Sequence, residues 1–224
     1  MSIAKNLKEI KANLKEGVEL VAVSKTKPSA YIKEAYAEGQ RIFGENRPQE
    51  LKAKAEELPK DIEWHMIGHL QSKKTKYIAP FVSLIHSVDK LSLLQEIDKR
   101  AAQNDRVIDV LLQIYIAKEE SKFGMDEEEV IELLNSEDFK SLKNVRVVGL
   151  MGMATNTDKE DVIRNEFKGL KTFFDSIKNL SISTPLNMTN FNTLSMGMSG
   201  DFKIAMEEGS NLVRIGSSIF GSRG

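Results

Sequence analysis

The chain of 224 residues carries 41% hydrophobic, 29% charged and 7% aromatic side chains, enough to bury a sizeable core in one large domain or two small ones. Its 32 Lys and Arg nearly cancel 33 Asp and Glu, leaving a net charge of -1 and no broad field to draw in nucleic acid or anionic lipid. With no cysteine, disulfides, thiolate metal sites and thiol catalysis are excluded, and a reducing compartment suits the chain.

The N-terminal stretch MSIAKNLKEIKANLKEG predicts an amphipathic helix through about Lys15 and lacks the apolar block of a signal peptide. No run approaches membrane-spanning length, so a soluble, cytoplasmic protein without nucleic-acid or membrane partners is expected. Beyond that helix, short β-rich apolar runs bounded by glycine, proline or polar residues predict strands. They fall at Leu20 to Ser24, Arg41 to Gly44, Glu63 to Ile67, Val82 to Ser87, Val107 to Ile116, Val145 to Met151, Thr193 to Met196 and Leu212 to Ile215. Between them, segments such as SAYIKEAYAEG, RPQELKAKAEEL and DKEDVIRNEFKGLKTFFDSIKNL repeat apolar residues at three and four with charges elsewhere, the pattern of one-sided helices on a sheet. This alternation suits an α/β fold, a single closed (β/α)8 TIM barrel with an extra N-terminal helix; a doubly wound open sheet is the second choice. No low-complexity linker or composition shift marks a boundary, so residues 1–224 read as one domain.

Parallel barrels gather reactive groups where strands end and the next loops begin. The first predicted strand ends in Ser24-Lys25-Thr26-Lys27-Pro28, the second in Gly44-Glu45-Asn46, the third in His65-Met66-Ile67-Gly68-His69, the fourth in His86-Ser87-Val88-Asp89 and the sixth in Met151-Gly152-Met153. Glycine and serine crowd the last two ends, Ser195 to Asp201 and Arg214 to Ser218, where barrels commonly hold a phosphate. Backbone N–H groups, serine hydroxyls and the start of a helix near Asp201 would suit a dianion there, although turns and helix caps use the same residues. Lys25 closes the apolar run LVAVS and should point into the barrel mouth, where desolvation yields the free amine that a Schiff base requires. Lys27, two residues on, is an equal candidate for that amine. Arg214 follows Leu212-Val213 and could face a ring nitrogen, an anionic oxygen or a barrel carboxylate.

Taken in order, VAVSKTKP, FGEN, WHMIGHLQSKK, IHSVD, EESKFG, LSMGMSGDF and VRIGSSIFG closely resemble the pyridoxal 5′-phosphate homeostasis family, which is related to the N-terminal barrel of alanine racemases. The resemblance runs from about Leu20 to Gly221. It implies a fold-type III barrel carrying pyridoxal 5′-phosphate as an internal aldimine on Lys25, with Asn46 and Met153 beside the ring. It further implies Ser195, Ser199, Gly216 and Ser217 on the phosphate and Arg214 near the pyridine nitrogen, where a cation disfavours ring protonation and weakens the electron sink. Arg47-Pro48, Tyr115 and Ser217 depart from the family's usual residues, which bears on the polarity of the mouth.

Other chemistries fit less well. His65 and His69 lie four apart, a metal spacing on a helix, but on a strand they stand about 13 Å apart; with His86 they read as hydrogen-bonded members of the strand-end ring, and Trp64 as packing. Gly197 to Asp201 lacks the final glycine of a nucleophile elbow, with no histidine after Ser199. The C-terminal Gly216 to Arg223 lacks the lysine and hydroxyl of a P-loop. The methionines at 151, 153, 196, 198 and 206 read as packing, and Lys73, Lys74 and Lys76 as a solvated face. Three functions remain: a carrier that buffers the cofactor and passes it to pyridoxal phosphate-dependent apoenzymes, a racemase-like enzyme, and a class I aldolase acting on a phosphosugar. Alanine racemases supply a second base from a C-terminal domain, and this sequence runs to Gly224 without one, so the carrier is favoured, as a monomer. An aldolase commonly places its lysine on a later strand, an analogy of fold only.

Overall fold

A parallel sheet closes on itself in the computed structural model, which describes residues 2–117, 123–179, 188 and 190–221. The strands are β1 Glu19–Val23, β2 Ile42–Glu45, β3 Glu63–Met66, β4 Leu84–Val88, β5 Ile108–Ile114, β6 Val145–Gly152, β7 Thr193–Ser195 and β8 Leu212–Ile215. Each pairs with its successor, and β8 returns to β1 in the register Glu19↔Leu212 to Ala22↔Ile215. The architecture is therefore the predicted eight-stranded barrel rather than the open sheet. β4 starts two residues later than expected, because the Val82 N–H bonds to the Ile78 carbonyl at 2.9 Å and ends the preceding turn.

Helices α1 Ile3–Ala12, α2 Ser29–Ala37, α3 Pro48–Glu57, α4 Leu91–Ala102, α5 Glu127–Asn135, α6 Glu137–Lys140, α7 Glu160–Asn179, α8 Phe202–Glu207 and α9 Ser217–Phe220 lie between and around the strands. Local chemistry sets their ends. Pro48 opens α3, where its missing N–H has no helical partner to lose, and Asp126 with Glu129 forms a reciprocal capping box on α5. Between β3 and β4 the crossover is a 3-10 helix, Ser72–Tyr77. α7 buries Ile163, Phe167, Leu170, Phe173, Phe174 and Ile177 at helical spacing. The extra N-terminal helix α1 buries Ile3, Leu7 and Ile10. Its Asn6 Nδ2 donates to the Ile219 carbonyl at 2.9 Å, tying the start of the chain to α9 just beyond β8.

Strand parity separates two apolar regions. Outward residues such as Leu20, Ala22, Phe43, Trp64, Met66 and Val213 join the helices in the larger core, where Trp64 packs against Phe43 at 6.0 Å between ring centroids. Inward residues Val21, Leu84, Leu111, Val148, Met151 and Leu212 fill the barrel. The same parity carries Lys25 inward and Ser24 outward.

β6 bulges opposite β5, since the register jumps from Val110↔Val147 to Leu111↔Gly149. The jump brings Gly149 against β7, and a Cβ on it would lie 1.7 Å from the Thr193 carbonyl oxygen. Gly169 sits inside α7, and among the described residues nothing comes within 4 Å of the place a methyl group would take. Opposite outcomes are expected in urea unfolding: Gly149→Ala loses about 3 kcal/mol or more through overpacking, whereas Gly169→Ala gains about 0.5–1 kcal/mol from helix propensity. Equal effects of the two substitutions would contradict the β6–β7 contact.

Candidate functional site

The strand ends at the C-terminal face of the barrel surround a cavity of about 460 Å³, within the usual range for a small organic ligand. Lys25, Asn46, Met153, Ser199, Arg214, Gly216 and Ser217 all line it, together with Lys27. Three cationic side chains thus reach the wall, and among the described residues no carboxylate does. Lys25 is half-buried one residue past the Ser24 that follows β1, and Thr26 after it takes the left-handed φ of 64°. Asn46 follows β2 directly, and the backbone beyond β3 presses against it. A Cβ on Gly68 would lie 2.6 Å from the Asn46 carbonyl oxygen, so only glycine permits that approach.

Arg214 stands on β8 with 4% of its surface exposed. Its Nη1 donates to the Ser195 carbonyl at 2.9 Å and to the Ser195 hydroxyl at 2.6 Å, and its Nη2 donates to the Gly152 carbonyl at 3.1 Å. A guanidinium has five N–H groups, so two remain without a protein acceptor among the described residues. Burial lowers its pKa to about 10, an effect that Asp201 opposes, and the group stays cationic at neutral pH. Just past β8, the Gly216 and Ser218 N–H groups converge on one oxygen, the Ser199 hydroxyl, at 3.3 and 3.5 Å. These contacts are longer than a good N–H···O bond, so the donors can turn to an anionic oxygen at little loss. The donor set of cations, hydroxyls and convergent backbone N–H groups fits a phosphorylated ligand that also carries a ring acceptor and an amine-reactive group.

Two expected contributors are already engaged by the protein. Ser195 is fully buried behind Arg214 and does not line the cavity. Its hydroxyl accepts from Arg214 and lies 3.2 Å from His86 Nδ1, so it supports the guanidinium. The helix near Asp201, α8, has only six residues, and the Asp201 carboxylate already accepts from the Met198 N–H at 2.6 Å. Of the residues that depart from the family's usual pattern, Ser217 is on the wall, whereas Arg47, Pro48 and Tyr115 are not. In the EESKFG motif, residues 119–122 lie outside the described residues.

Sequence reasoning missed two wall residues, Phe123 and Gln113, and it took Met198 for packing, although Met198 and Met153 are each 40% exposed at the mouth. Period-two parity from β5 would have marked Gln113 as inward-facing. Phe123 sits in a loop with no periodic signal. The histidines divide. His69 is on the rim, 3.7 Å from Asp89 and 6.0 Å between rings from Phe123. His65 and His86 are buried within the barrel, His86 Nε2 lying 3.1 Å from His65 Nδ1. Because Arg214 can only donate, the Ser195 hydroxyl accepts from it, while the directions of the Ser195–His86 and His86–His65 bonds are set by the histidine tautomers. Burial lowers the pKa of His65 to about 3, and it holds His86 well below 6.5, with His65 and Arg214 adding to the effect. The floor beneath Arg214 is a neutral relay of hydrogen bonds.

Comparison with known proteins bears on the family and the fold. The chain matches the profile of the alanine racemase N-terminal domain over residues 1–224. It is 41% identical to the pyridoxal phosphate homeostasis protein of Aquifex aeolicus, covering 92% of this chain and 87% of that one. It is 39% identical to the protein of the same name from Vibrio alginolyticus, over 93% and 88%. The solved structure of PipY from Synechococcus elongatus with PLP bound is 35% identical, with a TM-score of 0.85 over 98% of this chain and 100% of that one. Alanine racemase from Bartonella henselae shares the fold at 14% identity, with a TM-score of 0.71 over 99% of this chain and 58% of the racemase.

The buried histidines make stability sensitive to acid. Each is neutral in the folded chain and takes a proton near pH 6.5 once unfolded, so their contribution is whole above that pH and is lost as pH falls towards the depressed native values. His65→Leu removes one of these groups. Urea unfolding should show the wild type losing about 2 kcal/mol more than the variant between about pH 6.5 and 5; parallel pH profiles would refute the neutral relay.

Proposed function

The chain belongs to the family of pyridoxal phosphate homeostasis proteins, and from that premise and the cavity's donor set we propose that it carries and buffers pyridoxal 5′-phosphate. Lys25 supplies the amine that joins the cofactor's aldehyde as a Schiff base. Ser199, Gly216 and Ser217 take the phosphate, Asn46 and Met153 flank the ring, and Arg214 offers its two spare N–H groups to the ring nitrogen. The observation that carries this reading is the wall itself, three cations and no carboxylate among the described residues around convergent N–H donors. A dianionic phosphate is electrostatically at home there.

Bound cofactor would supply a reactive aldehyde and, when its ring is protonated, an electron sink. Arg214, cationic and unable to accept a hydrogen bond, opposes that protonation. The residues therefore favour holding the cofactor over turning it to carbanion chemistry. The carrier acts as a single-domain cytoplasmic monomer that keeps the free aldehyde low and releases it to pyridoxal phosphate-dependent apoenzymes. Among the described residues no helix is long and apolar enough to cross a membrane.

Titration of cofactor-free protein with pyridoxal 5′-phosphate should raise the visible absorbance of an imine. Lys25→Ala should abolish that band while still binding pyridoxamine 5′-phosphate, which has the phosphate but no aldehyde, and Lys27→Ala should keep the band. Exchange of the α-hydrogen of amino acids for deuterium at ordinary enzyme rates would overturn the carrier reading in favour of a racemase-like enzyme.

A further inference from the structure

Behind the Lys25 turn, on the outer face of the sheet, lies a charged group that the site does not use. Lys54 of α3 is 7% exposed and Glu45 at the end of β2 is fully buried. The Lys54 ammonium donates to the Ser24 carbonyl at 2.9 Å, to Glu45 Oε1 at 2.7 Å and to Glu50 Oε1 at 2.7 Å, which uses all three of its hydrogens. The Ser24 hydroxyl donates to Glu45 Oε1 at 2.6 Å, and the Thr26 N–H donates to Glu50 Oε1 at 2.7 Å. Both peptide neighbours of Lys25 are thus held by one ammonium, Ser24 directly and Thr26 through Glu50. None of the three charged residues lines the cavity.

The turn needs holding. Thr26 has φ 64°, a conformation that a β-branched residue adopts only at a cost of about 1–2 kcal/mol. Such strain persists where surrounding bonds over-determine it, and here Glu50 grips the Thr26 N–H while the Lys27 N–H closes back on the Ser24 carbonyl at 3.0 Å. Buried ion pairs give little net stability, since desolvation offsets attraction. What this one does supply is geometry: three fixed directions from a single nitrogen to the strand end, the strand's neighbour and the turn.

We propose that Lys54, with Glu45 and Glu50, is the positioning group that holds the Lys25 turn in the conformation from which its amine meets the cofactor. This rests on the reading of Lys25 given above. The triad acts through the backbone at Ser24 and Thr26, so its loss should slow attachment at Lys25 and leave the grip on the phosphate alone.

The test uses the full chain with Lys54→Met, the double variant Glu45→Gln/Lys54→Met, which leaves no buried charge, and the pair Glu50→Ala and Glu50→Gln. Attachment of pyridoxal 5′-phosphate is followed by stopped-flow absorbance, and affinity is measured separately with pyridoxamine 5′-phosphate. Lys54→Met, the double variant and Glu50→Ala should attach the cofactor about tenfold more slowly, with pyridoxamine phosphate affinity unchanged. Glu50→Gln keeps an oxygen for the Thr26 N–H and should behave as wild type. In the cofactor-free protein the Thr26 amide should be protected from hydrogen exchange and lose that protection in Glu50→Ala. Folded variants that attach at the wild-type rate, or that lose affinity for both ligands equally, overturn this inference while leaving the carrier reading in place. A wild type that takes no cofactor at Lys25 sinks both.

Discussion

The pairing of β1 with β8 brings the site together, because it sets the first strand beside the last. Val21 is opposite Arg214 and Ala22 opposite Ile215, so the turn that carries Lys25 leaves the barrel next to the loop that carries Gly216 and Ser217. The fit is close: a Cβ on Gly216 would lie 3.1 Å from the Val23 carbonyl oxygen. An open sheet would leave these residues on separate edges with their backbone groups unpaired. Closure also explains the extra helix, since α1 spans the seam and bonds to α9 through Asn6.

Two buried polar assemblies then back Arg214 and the Lys25 turn, one on each side of the sheet. Inside the barrel, Ser195 and the neutral histidines form a hydrogen-bonded chain behind Arg214, whose guanidinium keeps two donors without a protein acceptor among the described residues. Outside, the Glu45–Lys54–Glu50 triad grips the turn around Lys25. The two differ in charge for a physical reason. Arg214 retains its own charge at low exposure by donating to carbonyls and a hydroxyl, and a carboxylate in the barrel would neutralise the field that an anionic ligand needs. The triad lies behind the backbone, where its carboxylates do not border the cavity. Burial raises the Glu45 pKa to about 6, with the bond to Lys54 acting against that rise, and its second oxygen has no hydrogen-bond partner among the described residues.

Much of this fold was readable from the chain because its strands are short apolar runs and its helices are one-sided. The ends of β1, β2, β6 and β8 pointed to Lys25, Asn46, Met153 and Arg214, since barrel topology turns a position at a strand end into a position at the mouth. Parity could mark Ser195 as inward-facing but not its depth; only the contacts of Arg214 and His86 show that its hydroxyl is already engaged. Lys54 was less visible still. It stands among the charged positions of an amphipathic helix, where lysines are ordinarily solvated, and its partner Glu45 lies across a strand-to-helix turn that no period describes. The 3-10 helix Ser72–Tyr77 was missed for a similar reason, its lysine-rich sequence showing no apolar stripe.

The proposed function turns on the amine of one side chain, Lys25, at the mouth of the barrel. Borohydride reduction of protein loaded with pyridoxal 5′-phosphate, followed by peptide mapping, reads its bond to the cofactor directly. A single pyridoxyl group on Lys25 is the expected result. A pyridoxyl group on Lys27 or on a surface lysine, with Lys25 unmodified, would contradict the assignment.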